Sequence, residues 1–164
     1  MARGPSWRFY DLGRRVERAV VICRIARQLA CETCTQDDLG LLLDLFDCQI
    51  TYRSRYLASP TRAPVVYLVL LDPGNPRGLV FQIERIGEHL NSLPKLADDG
   101  IPEAPVRQFS AMLAHLQAME CDTIDDAQLQ DIETRLLALS DAISQRYFLQ
   151  YERSDPPVQD TLLA

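Results

Sequence analysis

Two Glu-Arg dipeptides are the residues of this sequence whose types and spacing most suggest chemistry. They occur in similar surroundings, as Glu17-Arg18 and Glu84-Arg85. Each glutamate has apolar neighbours at helical spacing and an arginine one or two turns away. A carboxylate in such a setting can serve as a general base, while arginine can hold a carboxylate through two parallel hydrogen bonds. Glu17 and Glu84 are therefore the candidate catalytic residues.

Two further clusters of polar residues extend this candidate site. Tyr52 and Tyr56 fall on one face of a predicted helix, and the turn Asp72–Arg77 joins two predicted helices. An acid at a helix C-terminus is poorly placed unless a cation lies against it, and we expect Arg77 to pair with Asp72. The predicted ligand-binding or ion-pair residues are Arg14, Arg18, Tyr52, Arg53, Tyr56, Asp72, Asn75, Arg77 and Arg85.

Three roles for these groups remain open from the residues alone. Arginines and tyrosines converging on a polar pocket suit an anionic or peptide-like ligand, and a glutamate there could hold an amine. The second role is enzymatic, with Glu17 or Glu84 as general base and arginines steadying an oxyanion. The third is structural: a buried network of Glu-Arg pairs that sets helix register, since a buried carboxylate needs a partner.

Neither a metal nor a cofactor is expected from the sequence. The five cysteines are irregularly spaced, and Cys31 and Cys34 form a lone C-x-x-C without two further zinc ligands in a related context. The segment before this pair reads as helix, whereas a thioredoxin-like motif follows a strand. We therefore interpret the cysteines as small residues of a reduced protein and expect a cytoplasmic location.

Charge and composition narrow the class of protein further. The chain has 164 residues, is 47% hydrophobic and carries a net charge of −6, which suits one folded domain and excludes a disordered chain. Basic residues are nearly all arginine, with Lys95 as the single lysine, and they are concentrated in the first third of an otherwise acidic chain. This distribution disfavours nucleic acid as a partner, and no apolar run is long enough to span a membrane.

Helical periodicity dominates the chain, so the predicted fold is all-α, a bundle of about six mostly antiparallel helices. We expect one domain over residues 1–153 and a flexible tail over 154–164. Thr35 is the predicted N-cap of the second helix, and Asn75 that of the fourth, with Pro76 at its first position. The predicted helices are 7–30, 36–57, 65–71, 76–92, 106–119 and 125–151.

Three segments together resemble one known family, the alpha-E domain family (DUF403), which is bacterial and all-helical. They are Trp7–Ala19 (WRFYDLGRRVERA), Leu71–Gly78 (LDPGNPRG) and Phe81–Arg85 (FQIER). The resemblance covers residues 7–151 and rests on the combination of the three. Members of the family are typically about twice as long, so the chain resembles their C-terminal half.

The resemblance implies partners and a pathway but no defined reaction. Alpha-E domains accompany ATP-grasp ligase-like domains in predicted systems of peptide synthesis or modification. From this we expect an ATP-grasp domain and a preceding N-terminal half as partners, and a peptide or other anionic molecule as ligand. A homo-oligomer is also possible, because the amphipathic stripes could pack against a second copy. The first hypothesis is an accessory binding module, with an enzyme and a structural scaffold as alternatives.

Overall fold

The computed structural model describes residues 4–95 and 100–149, and these residues form an all-α protein without strands, as predicted. The helices are α1 (Pro5–Leu29), α2 (Gln36–Leu45), α3 (Gln49–Tyr56), α4 (Arg62–Val66), α5 (Leu79–Asn91), α6 (Ala104–Gln117) and α7 (Asp126–Tyr147). The predicted last helix beyond residue 149 and the predicted tail, residues 154–164, lie outside the described residues.

Helix α1 is the central element of the described fold. It packs against α5 on one side and α7 on another, while α6 packs against both α5 and α7. Its inward stripe, with Ala19, Cys23 and Ala26 fully buried, repeats at the helical period and removes the apolar surface from water. Small residues along this stripe let the neighbouring helices approach closely. The face of α1 that carries Glu17, Arg18 and Val21 is not covered by these helices and is exposed.

The prediction of one continuous helix from 36 to 57 is wrong, because the chain divides it into α2 and α3. Asp47 adopts a left-handed conformation (φ 57°), which interrupts the helical ladder. The Cys48 amide then donates to the Leu43 carbonyl at 2.8 Å. Phe46 and Cys48 on either side of the break are both buried, so the apolar period continues across it. At its other end, Thr35 caps α2 through a capping box with Asp38, as predicted.

The segment predicted as a short helix, residues 65–71, is helical; its first residues are α-helical and the rest are π-helical. Helix α4 continues into a π-helical segment, Tyr67–Leu71, in which the Asp72 amide donates to the Tyr67 carbonyl at 2.8 Å. Pro73 has no amide hydrogen, so the ladder cannot serve the next carbonyl, that of Leu68. The side-chain amide of Asn75 donates to this carbonyl at 2.9 Å instead.

Asn75 is not the N-cap of the following helix, contrary to the prediction. Its side-chain oxygen accepts from the Arg77 amide at 3.0 Å, which closes a local turn two residues long. Helix α5 begins later, at Leu79, with Gly78 as N-cap. A Cβ atom at Gly78 would lie 2.9 Å from the Val69 carbonyl oxygen. Close contact between this turn and the π-helical segment therefore favours glycine at this N-cap position.

The last two described helices differ from the prediction only at their ends. Helix α6 begins two residues early, with Pro105 in its first turn, where the missing amide hydrogen costs nothing. Helix α7 begins after Asp125, which forms a capping box with Gln128. Among the described helices, none combines the length and hydrophobicity that crossing a bilayer requires.

Candidate functional site

Four of the predicted site residues line one groove on the outer face of α1. The groove has a volume of about 570 Å³ and runs between α1, the C-terminal end of α2 and the turn before α5. We call it the Arg18 groove. Its lining residues are Arg14, Glu17, Arg18, Val21, Ile22, Ile25, Leu45, Phe46, Arg77 and Gln82.

The charged groups of the Arg18 groove differ in how far they are already paired. Glu17 and Arg18 are exposed and make no side-chain hydrogen bond or ion pair with any described residue. Arg77 lies 3.3 Å from Asp47 across an exposed ion pair, which contributes little energy. Arg14 is bound to Asp11. The groove therefore presents three guanidinium groups and one carboxylate, and the Arg18 and Glu17 groups remain available to a ligand.

The other wall of the groove is apolar. Val21 on α1 and Leu45 on α2 keep 43% and 49% of their surface exposed, and Ile25 is half-buried. Phe46, which is buried, also lines the groove. A ligand with an acidic group and an apolar side chain would thus find both kinds of surface within one groove.

A buried carboxylate beside the groove, Asp11, was missed by the sequence reasoning. It is 3% exposed and accepts hydrogen bonds from Arg14, from Arg15 at 3.3 Å, and from His89 on α5 at 2.7 Å. An ionised carboxylate can only accept, so Nε2 of His89 is the donor. Burial alone would raise the pKa of Asp11, but hydrogen bonds from His89 and the two arginines outweigh it and lower that pKa to about 2.

Spacing within α1 offered one signal for Asp11. It lies three and four residues before Arg14 and Arg15, so a helix brings both arginines to it. Its position facing α5 depends on helix packing, which no local pattern encodes. Arg15 continues the network, since its guanidinium donates to Gln82 at 2.9 Å, and the Gln82 amide donates to the Pro76 carbonyl at 2.8 Å. This chain of contacts fixes the turn before α5 against α1.

The second Glu-Arg dipeptide is positioned differently from the first. Glu84 is half-buried, does not line the Arg18 groove, and makes no side-chain hydrogen bond or ion pair among the described residues. Arg85 pairs with Glu88 at 2.7 Å and stacks over the Phe81 ring at 5.0 Å. In neither dipeptide, therefore, does the glutamate form, with any residue that the structure describes, the buried ion pair that a structural network would require.

The predicted tyrosine cluster lies outside the Arg18 groove. Tyr52 is buried, and its hydroxyl donates to the Ser59 carbonyl at 3.1 Å and accepts from the Thr61 amide at 3.0 Å. The Tyr56 ring packs against it with centroids 5.0 Å apart. Arg53 is exposed on the same helix, without a described side-chain partner. The Tyr52 hydroxyl therefore holds the loop after α3, and both of its hydrogen-bonding roles are used there.

The expected pairing of Asp72 with Arg77 is wrong. Asp72 accepts from Arg55 at 2.8 Å and from the Gly74 amide at 2.9 Å, while Arg77 turns toward Asp47. A cation does compensate the acid at this helix end, but it comes from α3, because the tertiary fold brings α3 alongside the turn. Asn75 is nine-tenths buried and holds the same turn, as described above.

The histidines and cysteines do not form a metal-ligand cluster within the described part of the chain. Cys23 is fully buried, and burial raises the pKa of its thiol to about 12. Cys31 and Cys34 are half-buried at the end of α1, and burial also raises the pKa of Cys34. Raised thiol pKa values disfavour the thiolate that nucleophilic chemistry needs.

Comparison with known proteins gives three curated relatives over the same 145 residues. They are uncharacterised proteins, Rv2567 and MT2643 of Mycobacterium tuberculosis and Mb2597 of Mycobacterium bovis, each 28% identical to this chain. The aligned region covers 84% of this chain but 16% of each relative, so the chain spans less than a fifth of their length. No solved structure matches the chain.

The family comparison is more extensive. Residues 1–148 match the model of a single family, Alpha-E, which is described as a predicted alpha-helical domain with a conserved ER motif. The match spans the helices that carry both Glu-Arg dipeptides and nearly the whole described fold. The chain therefore belongs to the Alpha-E family.

Proposed function

We propose that this chain is a non-catalytic helical binding module that holds a peptide-like, carboxylate-bearing ligand in the Arg18 groove. One observation carries the proposal: an exposed arginine and an exposed glutamate, both without described partners, lie beside an apolar wall in one groove. Arg18 would take the carboxylate through two hydrogen bonds and Glu17 an amine, while Leu45 and Val21 would cover an apolar side chain.

Arg14 supports this role because it is held in place before any ligand arrives. Asp11 binds its guanidinium on one side, so little side-chain entropy is lost when the other side meets an anion. Arg77, in a weak exposed pair with Asp47, can exchange that partner for a ligand. The groove therefore combines one fixed and two adaptable guanidinium groups.

A direct test uses a library of short synthetic peptides applied to the immobilised chain, with bound peptides identified by mass spectrometry. We expect enrichment of peptides with a free C-terminal carboxylate and an apolar residue, and loss of this enrichment on C-terminal amidation. Arg18→Gln should remove the enrichment, whereas Arg135→Gln, an exposed arginine on α7, should keep it. Equal enrichment by both variants, or none by the parent chain, would contradict the proposal.

The enzymatic alternative uses the same groove, and one variant, Glu17→Gln, distinguishes an enzyme from a binding module. Glu17 is the candidate base that lies in the groove, exposed to solvent. With Glu17→Gln, a binding module loses affinity mainly for peptides with a free amine, whereas acetylated peptides still bind. An enzyme would instead convert the bound peptides, and conversion would stop in Glu17→Gln while binding persisted.

The proposed setting is an ATP-grasp-linked system of peptide synthesis or modification, with this module presenting the peptide to the ligase-like partner. Membership of the Alpha-E family and the predicted peptide-binding groove support this setting. Co-purification of a full-length protein containing this region with its neighbouring ATP-grasp domain tests it. We expect a stable complex in which mass spectrometry finds a bound peptide, and separate elution of the two proteins would argue against the partnership.

A further inference from the structure

A second cavity, distinct from the Arg18 groove, opens on the other side of Arg14. It has a volume of about 500 Å³ and lies between the start of α1 and the second half of α5. We call it the Trp7 cavity. Its lining residues are Trp7, Arg8, Asp11, Arg14, Arg15, Arg85, Glu88, His89 and Ser92.

The charge of the Trp7 cavity is opposite to that of the protein. Four arginines line it against two carboxylates, Asp11 and Glu88, whereas the whole chain carries a net charge of −6. Both Asp11 oxygens are already occupied, one by Arg14 and the other by Arg15 and His89. The carboxylate at the base therefore anchors the cations, and the cavity keeps an excess of about two positive charges.

One donor atom of Arg85, a residue that lines this cavity, has no hydrogen-bond partner among the described residues. This atom, Nε, is buried, although another nitrogen of the same guanidinium binds Glu88 at 2.7 Å. A buried donor left unpaired costs roughly 1–3 kcal/mol, so such groups usually have a ligand or a function. Because Nε itself is closed to solvent, an anion in the cavity would meet Arg85 through the terminal nitrogens of its guanidinium group.

The guanidinium groups are also restrained before any ligand binds. The Phe81 ring lies 5.0 Å from the Arg85 guanidinium and 5.9 Å from that of Arg15, so one ring orients both. Arg15 is further held by Gln82 at 2.9 Å. Preorganised cations lose little entropy on binding and favour a compact, multiply charged group over a flexible one.

From these features we infer that the Trp7 cavity binds a phosphoryl group, as in a small phosphomonoester. A phosphoryl group carries close to two negative charges at neutral pH and three acceptor oxygens, which matches the charge excess and the several donors. A single carboxylate offers only one negative charge, so it would leave about one positive charge of the cavity unbalanced. The inference concerns a different cavity from the peptide proposal and does not depend on it.

Intrinsic fluorescence gives a specific readout, because Trp7 is the single tryptophan of the chain and lines this cavity. Inorganic phosphate and phosphoserine are titrated separately at constant ionic strength, with serine and acetate as controls. We expect a saturable change with the two phosphoryl compounds and none with the controls. Calorimetry with inorganic phosphate, which lacks the carboxylate and amine that the Arg18 groove is proposed to take, measures binding independently of the fluorophore.

Variants of Arg85 then test the site itself. Arg85→Gln should weaken phosphoserine binding at least tenfold, and Arg85→Lys should not restore it, because lysine keeps the charge but lacks the planar guanidinium group with its parallel donors. Arg135→Gln on α7, which lines neither cavity, should bind phosphoserine like the parent chain. Circular dichroism and thermal unfolding check that each variant folds. No saturable binding by the parent chain, or equal binding by Arg85→Gln, would overturn the inference.

Discussion

Nε2 of His89 donates a hydrogen bond to the buried carboxylate of Asp11 across 2.7 Å, although the two residues lie 78 positions apart. This contact joins α5 to α1 at the one buried carboxylate that also binds Arg14 and Arg15. The Trp7 ring packs edge-on against the His89 ring, with centroids 5.6 Å apart. The contact between His89 and Asp11 stabilises the packing of α5 on α1. It also positions Arg14, which lines both cavities, and Arg15, which lines the Trp7 cavity.

Replacing the buried carboxylate should destabilise the fold. We expect Asp11→Asn to lower the free energy of unfolding by about 2 kcal/mol, since charged hydrogen bonds to two arginines and a histidine are weakened together. Urea denaturation measures the change. The matched control is Asp131→Asn, whose carboxylate is 43% exposed in its pair with Arg135 and should change stability by less than about 0.5 kcal/mol. Equal effects of the two substitutions would contradict this role for Asp11.

The lowered pKa of Asp11 predicts an acid-dependent loss of stability. Because the pKa falls from 3.8 to about 2 on folding, the contribution is complete above pH 3.8 and lost as pH falls through about 2. At about 1.4 kcal/mol per pKa unit it amounts to roughly 2 kcal/mol. The stability difference between the parent chain and Asp11→Asn should therefore shrink to under about 1 kcal/mol at pH 2. A difference that stays constant from pH 6 to pH 2 would refute the assignment.

Close packing of α5 against α6 predicts opposite effects at two helical glycines. A Cβ atom at Gly87 would lie 2.3 Å from the Phe109 ring, whereas one at Gly13 in α1 would meet nothing within 4 Å. We expect Gly87→Ala to destabilise the protein by about 1–2 kcal/mol, because overpacking exceeds the gain in helix propensity. Gly13→Ala should stabilise it by about 0.5–1 kcal/mol. Thermal unfolding of both variants measures these changes. Stabilisation by Gly87→Ala would contradict the prediction, because it would mean that the Phe109 ring moves aside at little cost.

The side chain of Asn75 should be needed by the turn before α5. Asn75→Ala leaves the Leu68 carbonyl without its donor and the Arg77 amide without its acceptor, both near the buried end of the π-helical segment. A loss of about 1–3 kcal/mol in the free energy of unfolding is expected, measured by urea denaturation. Asn91→Ala, at the exposed end of α5, is the control and should stay within about 0.5 kcal/mol of the parent chain.

Helix content and most helix ends could be predicted because they depend on local chemistry. Thr35 lies before a helical period and offers a side-chain acceptor to the third residue of the helix, and its capping box confirms the predicted cap. Asp125, predicted as the first residue of the last helix, is its N-cap and forms the same kind of capping box. The break at Asp47 could not be predicted from the same pattern. Buried residues on both sides continue the apolar period, and a single aspartate is too common within helices to mark a left-handed residue by itself.

Of the candidate site, too, one part could be predicted from the sequence and another part could not. The sequence by itself determined an all-α chain, the Thr35 cap of α2, and the presence of arginines and glutamates at helical spacing on α1 and α5. Only the tertiary structure decided that Asp11 is buried, that Arg55 pairs with Asp72, and that Glu17 faces a groove which Glu84 does not reach. The reason is physical: spacing along one helix sets which residues share a face, while helix packing decides which face is buried and which charges meet.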